Sequence, residues 1–452
     1  MIRCCALFLL LAGQAFAEPE SLLRLYRDAR IHHPSYLASQ AEARAEMERE
    51  AVAFGRLLPN LSLGGTYGQS TADRRGQAAG KEKFDYDTYS YSLNLRQPLF
   101  RMQELAEYRK ARALGQSATA LEGRADNELV IGVVSVFLEL LLLDDRLRLQ
   151  AAQRGAAEGQ LAAARRGFEL GAGTRIDIDE IQARADLLAA QTYELERQRD
   201  FRRRELEGYV GRPLGELPRF DGSAFSPERL RPVGSADNWV TAALAANNDY
   251  RLLVAQLEAA AQDVLVARAG HFPTLDLVAS VGRSANDNLS SLNNAGDVRY
   301  ETSNLGLQLN VPLFAGGQVS ALVRQAQARH AQVRHRLEDL KARLEREVRR
   351  EFDNVTRGWE MIRALERAEQ SAQQSLRAVG KGIDAGVRST TDLLVAEQQY
   401  IAAKVELSRG RYQLLGSMLK LKSMAGTVYD NDFEKLDACF KVSVKNVLID
   451  KK

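Results

Sequence analysis

Residues Thr88 to Phe100 read T-Y-S-Y-S-L-N-L-R-Q-P-L-F. Tyr89, Tyr91, Leu93 and Leu95 alternate with Ser90, Ser92, Asn94 and Arg96. That period of two is the pattern of a strand with one apolar and one polar face. The strand meets Pro98, and no proline follows from Leu99 to Arg212, so it opens into a very long run that a helix can occupy. The chain does this twice. Thr302 to Phe314 reads T-S-N-L-G-L-Q-L-N-V-P-L-F, and each copy has a partner strand upstream, P-N-L-S-L-G-G-T-Y-G from Pro59 and P-T-L-D-L-V-A-S-V-G from Pro273.

The corresponding prolines lie 214 residues apart (273 − 59 and 312 − 98). A second pair of landmarks, G-A-G-T-R-I-D at Gly171–Asp177 and G-V-R-S-T-T-D at Gly386–Asp392, lies 215 apart (386 − 171). A period of that size is too long for a solenoid unit and implies an internal duplication of one large half. The expected organisation is a first repeat over 18–235 and a second over 236–425. In the first, strands fall at about 58–69 and 88–99, an outer loop at 70–87, a tip turn at 171–174 and a linker at 213–235. In the second, strands fall at about 272–283 and 302–313, an outer loop at 284–301 and a tip turn at 386–389. A C-terminal tail covers 426–452.

Residues 1–17 have the form of a signal peptide: Arg3, an apolar run from Cys4 to Ala12, and A-F-A before Glu18. Cys4 and Cys5 lie early in that peptide rather than after its cleavage site, so no lipid anchor is indicated. Only Cys439 is left, which excludes a disulfide within the chain. Without Arg3, 61 basic residues face 59 acidic ones (62 − 1 against 59), a balance that carries no nucleic-acid footprint. The most apolar helical run, Leu129–Leu143, is 15 residues long and holds Glu139, short of the roughly 20 that span a bilayer. Its Leu129, Val133, Val136, Leu140, Leu143 and Leu147 instead follow a coiled-coil spacing. Any membrane crossing therefore falls to the strands.

Segment lengths test this reading. The run Arg101–Leu170 is 70 residues, about 105 Å as one helix. The return run to Arg212 and the stretch 236–270 together match it. In the second half, 315–385 runs out, 389–425 comes halfway back, and 20–56 supplies the remainder. Pro213, Pro218, Pro227 and Pro232 crowd into the linker where two half-length helices meet, and a mid-height belt of 213–235 with part of 426–452 is expected.

The long polar segments 70–87 and 284–301 suit the outer side of a barrel. Tyr67, Tyr89, Tyr91, Phe100, Phe272, Tyr300 and Phe314 suit an aromatic girdle. Four lipid-facing strands cannot end at open edges, because each unpaired backbone group in hydrocarbon costs several kcal/mol. The barrel must close between chains, with 8, 12 or 16 strands from two, three or four copies. Ser90, Ser92, Asn94, Arg96, Asp276, Asn304, Gln308 and Asn310 on the inner face favour an aqueous lumen. These considerations leave three and four copies open.

The duplicated strand–strand–helix halves, the P-L-F exits at Pro98 and Pro312, G-A-G-T-R-I-D-I-D-E-I-Q-A-R (171–184), A-G-V-R-S-T-T-D-L-L-V-A-E-Q-Q-Y (385–400) and L-K-L-K-S-M-A-G-T (419–427) together resemble the TolC family of outer-membrane export channels. The resemblance covers nearly all of the chain after the signal. It implies a mainly α fold with a membrane β-barrel: a long coiled-coil α-helical tunnel in the periplasm plus a 12-stranded barrel in the cell outer membrane. Three chains share that barrel, four strands from each. It further implies a homotrimer in contact with outer-membrane lipid, a periplasmic adaptor (membrane fusion) protein, and an inner-membrane ABC transporter or proton-driven pump. The G-T-R-I-D-I-D-E turn and the unlipidated signal resemble the type I secretion branch, which exports polypeptides; multidrug efflux is the alternative. No cofactor and no enzymatic activity are implied.

By the same resemblance the two turns form the periplasmic tip. Gly171, Gly173, Thr174, Gly386 and Ser389 are the adaptor-docking positions. Arg388, Asp177 and Asp392 are the gate positions, Arg388 tying the closed state to a neighbouring helix at Asp177 and Asp392 narrowing the entrance as a ring. Ile383 and Val395 depart from the family pattern, where an aromatic gate partner and a second acidic ring are expected. Thr174-x-x-Asp177 and Ser389-x-x-Asp392 also satisfy the capping-box pattern, with Gly171 and Gly386 suited to end the preceding helix. Catalytic patterns are poor: His330 and His335 are five apart and share no helical face, and Gly171-Ala-Gly173 follows a helix rather than a strand. A coiled-coil scaffold without a membrane role would account for the heptads but not for two pairs of alternating strands.

Overall fold

The computed structural model describes residues 20–76, 80–171, 173–222, 225, 231–287 and 298–441. Residues 1–19, which include the expected signal peptide, residue 172 of the expected first tip turn, parts of both expected outer loops (77–79 and 288–297), most of 223–230 and the tail from 442 lie outside the described residues. The chain divides into two compact units: Ala41–Glu122 with Asp249–Lys341, and Met1–Gln40 with Gly123–Asn248 and Ala342–Lys452.

The first of these units holds one antiparallel sheet of four strands, β1 (Asn60–Gly76), β2 (Gly80–Phe100), β4 (Thr274–Asp287) and β5 (Val298–Asn310), in the order β1-β2-β4-β5. Partners in an antiparallel ladder point to the same face, so the register decides what each face carries. Leu61, Leu95, Ala279 and Leu305 are opposed across the sheet, as are Leu63, Leu93, Val281 and Ser303. The other face aligns Ser62, Asn94, Ser280 and Asn304. Among the described residues no layer covers the apolar face at its leucines: Leu63 is 78% exposed and Leu305 77%. β1 and β5 are the edges and pair on one side only.

Three expectations are corrected here. Residues 70–76 and 80–87 are not loop but paired strand, from Ser70↔Tyr86 to Gly76↔Gly80, with Thr71 Oγ1 donating to Asp85 Oδ1 at 2.5 Å. Residues 284–287 and 298–301 likewise extend β4 and β5. A ladder is held by backbone hydrogen bonds, so polar sequence on both faces still forms strand once it has left the apolar band. Second, Tyr300 opposes Ser284 on the polar face and does not belong to an outward girdle. Third, β5 stops at Asn310 instead of 313. Val311–Gly317 is neither strand nor helix, and Gly316 (φ +59°) and Gly317 (φ +80°) take left-handed backbone open to glycine at little cost.

The long helical runs are interrupted. α1 (Leu22–His32) and α2 (Pro34–Gly55) break at His33, which Pro34 forces out of helical backbone. α6 (Ala236–Ala246) and α7 (Asn248–Ala269) break at Asn247, 214 residues later (247 − 33). The expected helix 101–170 is two helices, α3 (Met102–Gln116) and α4 (Ala118–Glu169). Between them the Ser117 hydroxyl bonds back to the Leu114 carbonyl at 2.7 Å. Its counterpart α8 (Gln318–Asp384) runs 67 residues unbroken.

In the second unit, α4, α5 (Arg175–Val210), α8 and α9 (Thr390–Met424) carry the core. Leu129, Val133, Val136, Leu140 and Leu143 are buried, Leu147 is half-buried, and Val130, Val134, Phe137 and Leu141 are buried as well. α4 is thus covered on a wider arc than a two-position seam. The linker and the tail meet: β3 (Arg219–Phe220) pairs with β6 (Phe440–Lys441), and Phe220 lies against Phe225, Tyr412 and Phe440. The tail helix α10 (Asp430–Asp437) holds α1: the Asp437 carboxylate accepts from the amides of Leu22 (2.7 Å) and Leu23 (3.2 Å), and Phe433 stacks on Tyr26. Arg212 adds a fork to Glu20 and Asp28 at 2.6 and 2.7 Å.

Candidate functional site

The two tip turns lie in the second unit, and both are built by helix-end chemistry. α4 ends at Glu169, Gly171 turns left-handed (φ +76°), and Thr174 caps α5. The amide of Asp177 donates to Thr174 Oγ1 (3.2 Å), while the Thr174 amide donates to Asp177 Oδ2 (3.1 Å). Gly173 is needed for space, since a Cβ there would stand 3.2 Å from the Phe168 amide nitrogen. In the second turn Gly386 (φ +72°) follows α8, and the amides of Val387 and Arg388 both donate to the Gly382 carbonyl, at 2.9 and 3.2 Å. Ser389 caps α9 reciprocally with Asp392, at 3.1 and 3.0 Å. The sequence pattern of two capping boxes is therefore realised in full.

The same bonds set the charges. Asp177 is held below the usual carboxylate range, chiefly by the hydroxyl and then the amide of Thr174. Asp392 is held down by the amide and hydroxyl of Ser389, with Arg388 adding attraction. Arg388 Nη1 stands 3.9 Å from Asp392 Oδ2 of its own turn, with its stem laid over Gly382. Arg388 and Asp177, expected to meet at the gate, are each engaged within their own turn. Ile383 is half-buried beside the turn, and Val395 is 51% exposed.

Two polar clusters were not recognised from sequence. Above the tip, Glu397 on α9 takes a hydrogen bond from Gln160 of α4 and faces Arg184 of α5, whose Nη1 also reaches Gln398 at 3.5 Å. Burial pushes the Glu397 carboxyl up, and the buried Gln160 Oε1 has no partner. In the first unit Asp276, 2% exposed, takes Nε (2.8 Å) and Nη2 (2.7 Å) of Arg101, and Nε (3.0 Å) and Nη2 (2.6 Å) of Arg96. Arg96 and Asp276 were expected merely to share the inner face; Arg101 was not noticed. The available signal was asymmetry, because the repeat partners of Arg96, Arg101 and Asp276 are Asn310, Ala315 and Ser62.

His335 forms a surface pair with Glu338 (3.0 Å), and no group of three or more His, Cys, Asp or Glu among the described residues could hold a metal. No helix among them is long and apolar enough to cross a membrane.

The profile of the family described as "Outer membrane efflux protein" matches residues 25–212 and 239–427. The chain belongs to that family. The two matched segments start 214 residues apart (239 − 25) and end 215 apart (427 − 212), the offsets of the sequence repeat. Among curated relatives, "Alkaline protease secretion protein AprF" of Pseudomonas aeruginosa is 35% identical, covering 96% of this chain and 90% of the relative. "Proteases secretion protein PrtF" of Dickeya chrysanthemi is 32% identical, with 90% and 89% covered. "Outer membrane protein TolC" of Escherichia coli K12 is 28% identical, with 94% and 85% covered. The outer-membrane channel OprN (TM-score 0.74, 17% identity, 90% of both chains) and CusC (TM-score 0.75, 18% identity, 91% and 93%) share the fold. This member of the family is thus an outer-membrane channel chain. Its sheet belongs to a membrane barrel, and its coiled-coil helices form the periplasmic tunnel.

Proposed function

We propose that this chain is the exit duct of a type I secretion system. Three copies close a 12-stranded barrel, and the duct passes polypeptides received from an inner-membrane ABC transporter through a periplasmic adaptor. The observation that carries the reading is the sheet itself: one face of leucines and valines bare to its surroundings, one face of serines and asparagines, and two unpaired edges, β1 and β5. A sheet of that kind is satisfied only when lipid covers the apolar face and a further copy pairs each edge. The names of AprF and PrtF, both protease secretion proteins, support a polypeptide cargo. The tip turns, with Gly171, Gly173, Thr174, Gly386 and Ser389 exposed or half-buried, are the adaptor-docking positions. Arg388, Asp177 and Asp392 are the gate, in which Arg388 leaves Asp392 to bond Asp177 of an adjoining helix in the closed assembly.

The detergent-corrected mass of the purified protein tests the assembly and is expected to equal three chains; a monomer overturns it. Restoring protease export to a cell that keeps its ABC transporter and adaptor but lacks its outer-membrane component tests the cargo. Restored drug resistance without restored protease export would favour the efflux alternative, which the relative named "Pyoverdine export outer membrane protein OpmQ" (25% identical) keeps in view.

A further inference from the structure

We propose that Arg96, backed by Asp276 and Arg101, forms a basic girdle on the inner wall of the barrel that biases permeation toward anions. This rests on the three-chain barrel proposed above, and the experiment below separates the two.

The polar face is nearly free of charge. It comprises the even-numbered residues of 60–70 in β1, 88–96 in β2, 276–284 in β4 and 300–310 in β5. Arg96 and Asp276 are the one guanidinium and the one carboxylate in these ranges; the remainder are Ser, Thr, Asn, Gln, Gly, Val and Tyr300. The two are not presented equally. The Arg96 side chain is 53% exposed and that of Asp276 3%. Arg101, itself 23% exposed, takes both oxygens of Asp276, and Glu104, 21% exposed, lies 3.8 Å from its remaining nitrogen. The carboxylates are the covered members of the cluster, and the guanidinium of Arg96 is the member open to the polar side. Asp276 fixes that guanidinium through two nitrogens, so the charge is held in place rather than carried on a free stem. The repeat supplies no second cation, because Asn310 stands where a copy of Arg96 would fall.

Each chain therefore brings one presented cation, balanced from behind by the covered carboxylates of its own cluster, and a closed barrel brings three such outward-facing guanidinium groups at one level. Twelve strands about 4.8 Å apart and tilted by about 40° enclose a backbone radius of about 12 Å. The screening length is about 10 Å in 0.1 M salt and about 30 Å in 0.01 M. At low salt the field of three such groups spans the lumen; at 1 M, where the length is about 3 Å, it does not reach the axis.

The test is the zero-current potential of the purified channel in a planar bilayer across a KCl gradient. Arg96→Gln keeps a hydrogen-bond donor for Asp276 but removes the charge. It is expected to lower the chloride-to-potassium permeability ratio by about three-fold near 0.1 M, and by more near 0.01 M, with Arg96→Lys close to the parent. Asn94→Asp leaves the cluster whole and sets a carboxylate on the same face two residues from Arg96. It is expected to move the potential the same way, and it keeps the proposal testable should Arg96→Gln fail to assemble. An unchanged potential at both salt concentrations, in either variant with a three-chain mass, overturns the girdle. A parent protein of one-chain mass that forms no pore overturns the barrel reading instead.

Discussion

The two repeats build the same strand-to-helix passage by opposite means. In the first, β2 continues through Pro98 to Phe100 and α3 begins at Met102, with Arg101 between them bonded to buried Asp276. In the second, β5 ends at Asn310 and seven residues intervene before α8, two of them left-handed glycines. The helices that follow reverse the contrast, since the first run breaks at Ser117 and α8 does not break at all. Each half thus contains one tight joint and one relaxed one, in opposite order. A duplicated topology fixes where elements start and stop; it does not fix how each corner is held.

The largest effect should come from the tight joint. Asp276→Ala would strand two guanidinium groups and is expected to cost about 3 kcal/mol or more, read as a fall in the heat stability of the assembled protein. Ser62→Ala, at the equivalent place in the first repeat, should stay within about 0.5 kcal/mol. Equal losses would show that the corner is not held by the ion cluster. In the relaxed joint, Gly317→Val forces a branched side chain into left-handed backbone and should cost about 1–2 kcal/mol, whereas Gly306→Ala in β5, with open space around it and ordinary φ, should be neutral or stabilise by up to about 1 kcal/mol.

The tips sharpen the contrast further. Thr174→Ala and Ser389→Ala should each weaken their helix start by about 1 kcal/mol, visible as faster amide exchange in the first turns of α5 and α9. Arg388→Ser leaves both caps intact and is expected to raise the conductance of the closed channel; no change in conductance would leave Arg388 outside the gate. The smallest effect concerns pH and has opposite signs at neighbouring sites. Asp177 and Asp392 have depressed values, so their contribution is present above the ordinary carboxylate value of 3.8 and lost as pH falls through the folded value. Glu397 has a raised value, so its burial weighs against folding at neutral pH and is relieved as pH falls through that value. Glu397→Gln should therefore raise the melting temperature slightly at pH 7.5 and not at pH 4; a drop at neutral pH would make the attraction of Arg184 the dominant effect.

Much of the fold was legible because the informative patterns are periodic. Tyr89–Arg96 and Thr302–Asn310 alternate cleanly, and the matched prolines and turns fix a repeat that local propensity could not blur. The strand ends were less legible: Ser70–Asp87 is polar on both faces, and composition cannot tell a water-exposed ladder from a loop. The break at Ser117 went unseen because serine is also tolerated within helices. At the tips, the capping roles of Thr174, Asp177, Ser389 and Asp392 could be read from spacing alone, since a cap is local. The Glu397 and Asp276 clusters each join residues far apart in sequence, 237 between Gln160 and Glu397 (397 − 160), and only packing brings them together.

The bond from Asp437 to the amides of Leu22 and Leu23 has a consequence in time as well as in space. A chain delivered N-terminus first carries α1 across the membrane long before the residue that caps it, 415 positions later, has arrived. Closing so large a loop is slow and comes late in folding. Until it happens, α1 lacks the partner for its first two amides, and Phe433 has not yet reached Tyr26. The protein therefore closes this contact only once α10 has arrived, and a chain cut short before Asp430 would leave its beginning, not its end, unfinished.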